Sequence, residues 1–467
     1  MRSFVRSVGR RFSSSLLSLL VAGFAVDAVA QSVRQEDPIP DSTRQSLTAI
    51  EHSFVLGSVS PPNALFPRMR EEMTGAPAFL RDSKASFGFR SYYRDVVTNK
   101  APGSASWSEA WAAGGAATWQ SGRLFDLISG GMVLYTSFPV YAALDRDGTG
   151  LLLPGQQQYG VLGQLYGKVH ITDDHEFVAG RYLYDTPFVG SDDNRMSPKT
   201  FYGYAVKGIF GNPQTGPAFR YGGGYLAAMK ERNSTEFISM SRSAGADQDR
   251  GAGVAGGLFT WGPLSIGAIE YYSQDTINIA YAEGKYGIAL APKTHAVLAL
   301  QFADQHSTGA NLLNNGVPFG TSQFAAQLQL GFESAILTAA YSVVNPGFGM
   351  QTPWSANPFY TDSQNLSFNR AGENAALIGL SLGFKPFGLP GVAASIFYVG
   401  GWTDAPAAGA PVREREWDFI VDWRPKWKPL QGIWLSMRYG FSVTDQGGQR
   451  TTTDDVRLIL NYSVKLY

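Results

Sequence analysis

The densest group of potentially reactive side chains lies in VGSDDNRMSPKTFYG, residues 189–203. Asp192, Asp193 and Asn194 stand directly before Arg195, so two carboxylates, an amide and a guanidinium are adjacent. Neighbouring carboxylates can bind a metal ion, act as an acid/base pair, or lie in a solvated loop, where Asp-Asp-Asn is ordinary turn chemistry. The segment alone leaves all three interpretations open, and the choice depends on the surrounding fold.

Histidine, which most hydrolytic triads need, occurs at five positions: His52, His170, His175, His295 and His306. No G-x-S-x-G motif accompanies them, so a barrel-embedded hydrolase is a remote alternative. HITDDHE (170–176) has a metal-like composition, but it is typical of strand-turn-strand, where the two histidines need not converge. DRDGTG (145–150) begins like a calcium loop, yet Gln156 stands where a bidentate glutamate is required, so we predict a surface turn. We predict no catalytic residue, no metal and no cofactor.

The N-terminus has the organisation of an export signal. Four arginines within the first eleven residues precede an apolar stretch from Leu16 to Val26, and Ala28-Val29-Ala30 supplies a small-x-small cleavage site. The apolar stretch is too short to span a membrane as a helix. We therefore predict a signal peptide at residues 1–30 and an exported protein.

Composition narrows the class of exported protein. Cysteine is absent, which excludes disulfides, cysteine-ligated metals and thiol nucleophiles. The 38 basic and 38 acidic residues become 34 and 37 when four arginines and one aspartate leave with the signal peptide, which argues against nucleic acid as a partner. Glycine (53 residues) and aromatics (13%) are abundant, and no stretch of 18 or more apolar residues follows. These features favour an all-β protein, a closed transmembrane antiparallel barrel.

Alternating apolar and polar residues support this fold, because barrel strands present apolar side chains to lipid and polar ones to the lumen. KASFGFRSYYRD (84–95) and DDVRLILNYSVKLY (454–467) alternate in this way. Short connections such as TDDH, GP and ES alternate with much longer ones, as expected for periplasmic turns and external loops. We predict a barrel over residues 81–467, with about eighteen strands starting near residues 83, 107, 124, 159, 176, 201, 218, 252, 264, 277, 295, 323, 335, 374, 392, 413, 433 and 454.

Residues 31–80 do not follow the strand pattern, because they mix proline, charged residues and short apolar pieces. We predict that they form an N-terminal periplasmic arm or a partial plug, with a short helix around Ser42 to Glu51.

Basic residues fall on the face of the first and last two strands that we assign to the lumen. Closure of the barrel would make these strands neighbours and would form one cationic stripe, which attracts anionic groups in a low-dielectric channel. The residues are Lys84, Arg90, Arg94, Arg438, Arg457 and Lys465. The alternative is a set of lumenal salt bridges with acidic residues of the strand before the last two, namely Glu416, Asp418 and Asp422.

An ordered series of segments resembles the outer-membrane porin D (OprD-like) family of substrate-selective porins. These segments run from about residue 78 to the C-terminus and are FLRDSKASFGFRSYYRD, SEAWAAG, DGTGLL, GSDDNRMSPKTFYG, MQTPW, FNRAGENAALIGLSLGF, FGLPGVAASIFYV and DDVRLILNY. The resemblance implies an 18-stranded monomeric barrel in the bacterial outer-membrane lipid, narrowed by inward-folded external loops, especially the third and the seventh. It also implies a ladder of basic side chains for substrate carboxylates, which maps onto Arg90, Arg94, Arg438 and Arg457.

By strand order the opening segment belongs to the third external loop. We expect Asp192 and Asp193 to supply the negative side of an eyelet, and Arg195 to hold the loop by pairing with a wall carboxylate. The resulting hypothesis is a porin, not an enzyme, for selective passive diffusion of small carboxylate-bearing solutes such as amino acids or aromatic acids. A sugar-selective or weakly selective general porin is the alternative.

Overall fold

The computed structural model describes residues 64–101, 103–403 and 410–467. The predicted signal peptide, the helix expected around Ser42 to Glu51 and most of the predicted arm lie outside these ranges. The described end of the arm forms two short helices, Pro67–Glu72 and Ala78–Arg81, before the first strand. Within the described ranges, no helix is long and apolar enough to cross a membrane.

Within the described ranges, nineteen strands form one antiparallel sheet. One of them, β8, has only two residues and pairs with the end of β7. The other eighteen close into a barrel because β1 pairs with both β2 and β19. The strands are β1 (Lys84–Ala101), β2 (Ser104–Gln120), β3 (Ile128–Ala142), β4 (Tyr159–His170), β5 (His175–Tyr182), β6 (Thr200–Gly211), β7 (Ala218–Lys230), β8 (Ile238–Ser239), β9 (Ala252–Trp261), β10 (Leu264–Ser273), β11 (Ile277–Ala291), β12 (Thr294–His306), β13 (Gly320–Phe332), β14 (Ala335–Val344), β15 (Asn374–Gly383), β16 (Val392–Thr403), β17 (Val412–Trp423), β18 (Ile433–Gln446) and β19 (Gln449–Lys465).

The period-two alternation of the sequence is reproduced as two faces of the barrel. In β12, Leu298, Leu300 and Phe302 are 45–47% exposed on the outer face, whereas Ala299 and Gln301 between them are buried toward the lumen. An exposed apolar outer face and a polar interior invert the arrangement of a water-soluble sheet, and a lipid-facing barrel requires this inversion. The predicted eighteen-stranded barrel is therefore confirmed.

The two ends of the barrel differ in the length of their connections. The turn end carries short connections such as residues 262–263, 292–293 and 333–334. The loop end carries longer loops, among them L2 (143–158), L3 (183–199), L4 (231–251) and L7 (345–373).

L3, L4 and L7 enter the barrel and share one apolar cluster with the inner faces of the strands. Phe188 of L3, Met240 of L4 and Trp354 of L7 are fully buried in it. A parallel bridge between Val189 and Trp354 joins L3 to L7 directly. The predicted inward folding of the third and seventh loops is confirmed, and L4 contributes as well.

Candidate functional site

Three arginines lie directly opposite one another on neighbouring strands of the lumenal wall. Arg94 of β1 pairs in register with Arg457 of β19, and Arg457 pairs in register with Arg438 of β18. Like charges at opposed positions repel one another. Asp455, which is fully buried, partly offsets this repulsion by accepting hydrogen bonds from Arg94 at 2.7 Å and from Arg457 at 2.6 Å.

Arg90 lies nearer the turn end on the same face and is committed to L3. Its guanidinium donates to both carboxylate oxygens of Asp193, at 2.7 and 3.2 Å, and to Oδ1 of Asn461 at 2.8 Å. It also donates to the main-chain carbonyl of Arg195. Arg90, which we expected to face the solute, therefore holds L3 against the barrel wall.

Arg438 differs from the other arginines of the stripe. Its hydrogen bond to Oγ of Ser436 is long, at 3.4 Å. In the part of the chain that the structure describes, no carboxylate forms an ion pair with it. The charge of Arg438 therefore has no counter-ion at contact distance there.

Lys84 and Lys465 belong to a different part of the channel. Lys84 is opposite Gln120 and Lys465 is opposite Ser86, both close to the turn end. The closure of β1 on β19 thus unites the four predicted arginines along one wall, while the two predicted lysines lie at the mouth.

The two aspartates of the opening segment are buried and paired. Asp192 accepts a hydrogen bond from the main-chain N–H of Ala356 in L7 and forms an ion pair with Lys199, both at 2.8 Å. Asp193 binds Arg90 as described above. L3 therefore lies beside the cationic stripe, and its carboxylates lock L3 to the wall and to L7.

The expectation that Arg195 pairs with a wall carboxylate is wrong within the described ranges. Its guanidinium donates to the main-chain and side-chain oxygens of Asn194, at 2.8 and 3.2 Å. Asp193, one residue earlier in the loop, occupies Arg90 instead. Burial, together with the guanidinium groups of Arg94 and Arg457, lowers the pKa of Arg195 well below its usual value. Arg195 is thus a second buried cation that a bound anion would stabilise.

The acidic residues of β17 anchor L7 through its main chain. Glu416 accepts hydrogen bonds from the N–H groups of Asn365 and Leu366, at 2.7 and 2.8 Å. Asp418 accepts from the N–H of Gln364 at 3.1 Å. Glu416 and Asp418 therefore bind backbone donors of a loop, and Asp422 accepts a hydrogen bond from Nε1 of Trp434 at 2.6 Å. Lumenal salt bridges do form, but the carboxylate that pairs with Arg94 and Arg457 is Asp455 of β19.

L7 can approach the wall this closely because residue 440 is glycine. A Cβ on Gly440 would lie 2.7 Å from Nδ2 of Asn365 and 2.8 Å from Nε2 of Gln364. A side chain here would force the amide ends of Asn365 and Gln364 to move.

Sequence reasoning missed the contribution of L2. We expected DRDGTG to be a surface turn, but Thr149 is buried and its carbonyl accepts a hydrogen bond from Arg94 at 2.8 Å. Leu151 and Leu152, which follow, are buried in a cluster with Tyr92 and Met196. The apolar pair Leu-Leu directly after a Gly-rich turn was the available signal for an inward-folded loop.

The HITDDHE segment forms the predicted strand-turn-strand. His170 ends β4 and contacts Oγ of Ser129 at 2.8 Å, whereas His175 begins β5 and contacts the hydroxyl of Tyr221 at 3.2 Å. Across the described ranges, no group of three or more histidine or carboxylate side chains has a metal-binding arrangement.

The base of L7 carries a carboxyl group that responds to pH. Burial and repulsion from Glu414 raise the pKa of Glu373 to about 8. Because this folded-state pKa lies above the ordinary value, the group stabilises the docked loop at low pH, and the contribution is lost as pH rises toward 8. We expect hydrogen-exchange protection of L7 amides, corrected for intrinsic rates, to fall between the ordinary pKa of 4.5 and about pH 8. Glu373→Gln should remove this dependence.

Glu333 provides the matched control, because it is partly exposed in a turn-end connection and forms an ion pair with Lys293. Glu333→Gln should leave the pH profile of L7 unchanged. Equal profiles for the wild type and Glu373→Gln would contradict the assignment.

A closed barrel with an apolar outer face, inward-folded loops and charged lumenal side chains is the architecture of an outer-membrane channel. The family model described as outer membrane porin, OprD family, matches residues 77–466. The chain belongs to the OprD family, and it is a channel-forming protein of the bacterial outer membrane.

Solved porin structures have the same fold. OccK9 (OpdG) of Pseudomonas aeruginosa matches with a TM-score of 0.74 and 23% identity, covering 83% of this chain and 100% of its own. A BenF-like porin of Pseudomonas fluorescens Pf-5 matches at 0.73 and 19%, and OpdK of P. aeruginosa with vanillate at 0.69 and 19%, both with the same coverage. Among curated proteins, none matches the chain.

Proposed function

We propose that this porin conducts small carboxylate-bearing solutes, and that Arg438 is the cation that binds the carboxylate in transit. The observation that carries the proposal is the contrast within the stripe. Arg90, Arg94 and Arg457 already have carboxylate partners, whereas no such partner contacts Arg438 in the described ranges. A buried cation without a counter-ion favours an anionic ligand.

Two neighbouring groups support a site for a carboxylate. The hydroxyl of Tyr92 is buried and has no hydrogen-bond partner in the described ranges. Arg195 and Arg438 both lie within electrostatic range of this hydroxyl. A carboxylate has two acceptor oxygens, so it can accept from Tyr92 and a guanidinium together.

The relatives are consistent with this solute class. One matched structure, OpdK, is with vanillate, which is an aromatic carboxylate. We extend that chemistry to this chain as part of the proposal. From the family resemblance we also propose that it works as a monomer, which sedimentation in detergent tests.

The test compares two solutes that differ in the carboxylate and cross lipid poorly. Proteoliposomes containing the porin should take up labelled glucuronate faster than labelled glucose. High salt should reduce the difference, because it screens the stripe. Equal uptake of the two solutes would favour the weakly selective porin, and faster glucose uptake would favour the sugar porin.

A further inference from the structure

The outer face of the barrel carries a groove of about 600 Å³ near the loop end of β15, β16 and β17. Ala376 and Gly400 are directly opposite each other on β15 and β16, so two small residues form the floor. The larger side chains Tyr398 and Trp402 flank Gly400 along β16. The groove exists because the lipid-facing row of β16 alternates large, small and large.

Residue alternation shows that this groove faces the membrane. Trp417 and Val421 of β17 are 40% and 42% exposed, while Glu416 and Asp418, on either side of Trp417, are buried toward L7. Arg415 belongs to the same outward row as Trp417 and is directly opposite Gly400. Trp417 is directly opposite Tyr398, and Trp402 is directly opposite Arg413, so Arg415 lies between two aromatic levels. Aromatic residues mark the interface of a barrel with lipid, so Arg415 lies within that belt, at the level of the headgroups.

The charge of Arg415 is only weakly compensated. Its side chain is 48% exposed, and among the described residues it forms an ion pair with Asp445, at 3.7 Å. Both oxygens of Asp445 are already occupied by Arg450, at 2.6 and 3.0 Å. A guanidinium on a lipid-facing surface is favourable where it meets an anion of the lipid.

We propose that this groove binds a phosphorylated, acylated lipid of the outer leaflet, with the chemistry of lipid A. Arg415 would bind the phosphate through the planar fork of N–H donors on its guanidinium. Arg413 lies two residues away on the same outward-facing row. An acyl chain would lie over Ala376 and Gly400, between the rings of Tyr398 and Trp402. The apolar floor favours a lipid over a soluble anion, because a soluble anion gains nothing from it. The proposal rests on the outer-membrane location and not on the solute in the lumen.

The test is native mass spectrometry of the full-length mature porin released from detergent in the presence of bisphosphorylated lipid A. Arg415→Gln should weaken lipid A binding about tenfold, because a hydrogen bond to a charged group is lost. Gly400→Leu should weaken it by filling the floor, since the new side chain meets only the tip of the Tyr398 ring, 3.3 Å from its Cβ. Ala376→Leu is a second filling variant. Heat-dependent mobility on gels verifies that each barrel is folded.

Arg123 is the matched control, because it is a partly exposed arginine at the turn end that forms an ion pair with Asp173. Arg123→Gln should bind lipid A as the wild type does. Dephosphorylated lipid A should bind weakly, and inorganic phosphate at millimolar concentration should not displace lipid A. Undiminished binding to Arg415→Gln, equal binding of the dephosphorylated lipid, or displacement by inorganic phosphate would each overturn the proposal.

Discussion

Replacing Arg438 by glutamine is expected to raise the concentration of benzoate needed to half-block ion current in planar bilayers by about tenfold or more. A hydrogen bond between charged groups contributes about 1.5–3 kcal/mol, and 1.4 kcal/mol corresponds to a factor of ten. The reversal potential in a salt gradient should also shift toward cation selectivity, because the lumen loses a positive charge that no contacting carboxylate offsets in the described ranges. Benzamide, which lacks the carboxylate, should block the variant and the wild type equally.

Arg438 is a sharper target than Arg90, although the two were equivalent members of the predicted ladder. Arg90 holds Asp193 at 2.7 Å and the carbonyl of Arg195, so its removal would also release L3. A change in current would then mix lost charge with a moved loop. Within residues 64–101, 103–403 and 410–467, Arg438 donates a hydrogen bond only to Ser436, which belongs to no loop, so its substitution changes the charge while leaving the loops in place.

Arg94 provides the matched control on the same wall. Arg94→Gln removes the same formal charge, and Asp455 keeps Arg457 as a partner at 2.6 Å. This variant also loses the hydrogen bond of Arg94 to Thr149 of L2, so the conductance of each variant is recorded beside the benzoate block. If a local site at Arg438 binds the carboxylate, benzoate block should change much less in Arg94→Gln than in Arg438→Gln. Equal changes in both variants would show that the summed field of the lumen acts, without a site at Arg438.

The barrel and its closure were predictable because they depend on local patterns. Alternation in KASFGFRSYYRD and DDVRLILNYSVKLY identified the first and last strands, and closure then required them to be neighbours. The observed pairing of Arg94 with Arg457 follows from that topology. The order of the predicted strands located L3 and L7 in the sequence. The resemblance to the porin family then predicted that these two loops fold inward.

The contacts inside the lumen were not predictable, because they join residues far apart in the chain. Arg90 meets Asp193 across about a hundred residues, and nothing local indicates that Asp193 and not Arg195 would face the wall. Asp192 meets Ala356 across a still longer separation. Arg438 differs from the other arginines because no carboxylate contacts it in the described ranges. Alternation along a strand cannot show which partners a side chain lacks.

The largest expected structural effect is that of Trp354→Ala, which should increase single-channel conductance and current noise. Trp354 is fully buried where L3, L4 and L7 meet, and its indole N–H donates to the carbonyl of Met240 at 2.8 Å. Its own carbonyl accepts a hydrogen bond from the N–H of Gly190 at 3.4 Å. Truncating a buried tryptophan to alanine lowers the free energy of unfolding by about 3–5 kcal/mol. This loss is large compared with what the few contacts between the three loops contribute. The ratio of glucuronate to glucose uptake should fall as the loops separate.

The barrel wall should survive this change, because each strand is hydrogen-bonded to neighbours on both sides and Trp354 belongs to none of them. Heat-dependent gel mobility should therefore match the wild type. Trp354→Phe, which keeps an aromatic ring but loses the donor to Met240, should give an intermediate conductance. Trp261→Ala is the matched control, since Trp261 ends β9 with 62% exposure near the turn end, and its removal should alter neither conductance nor selectivity. A Trp354→Ala channel with wild-type conductance, noise and uptake ratio would mean that contacts other than Trp354, such as those of Asp192 and Asp193, hold L3 in the lumen.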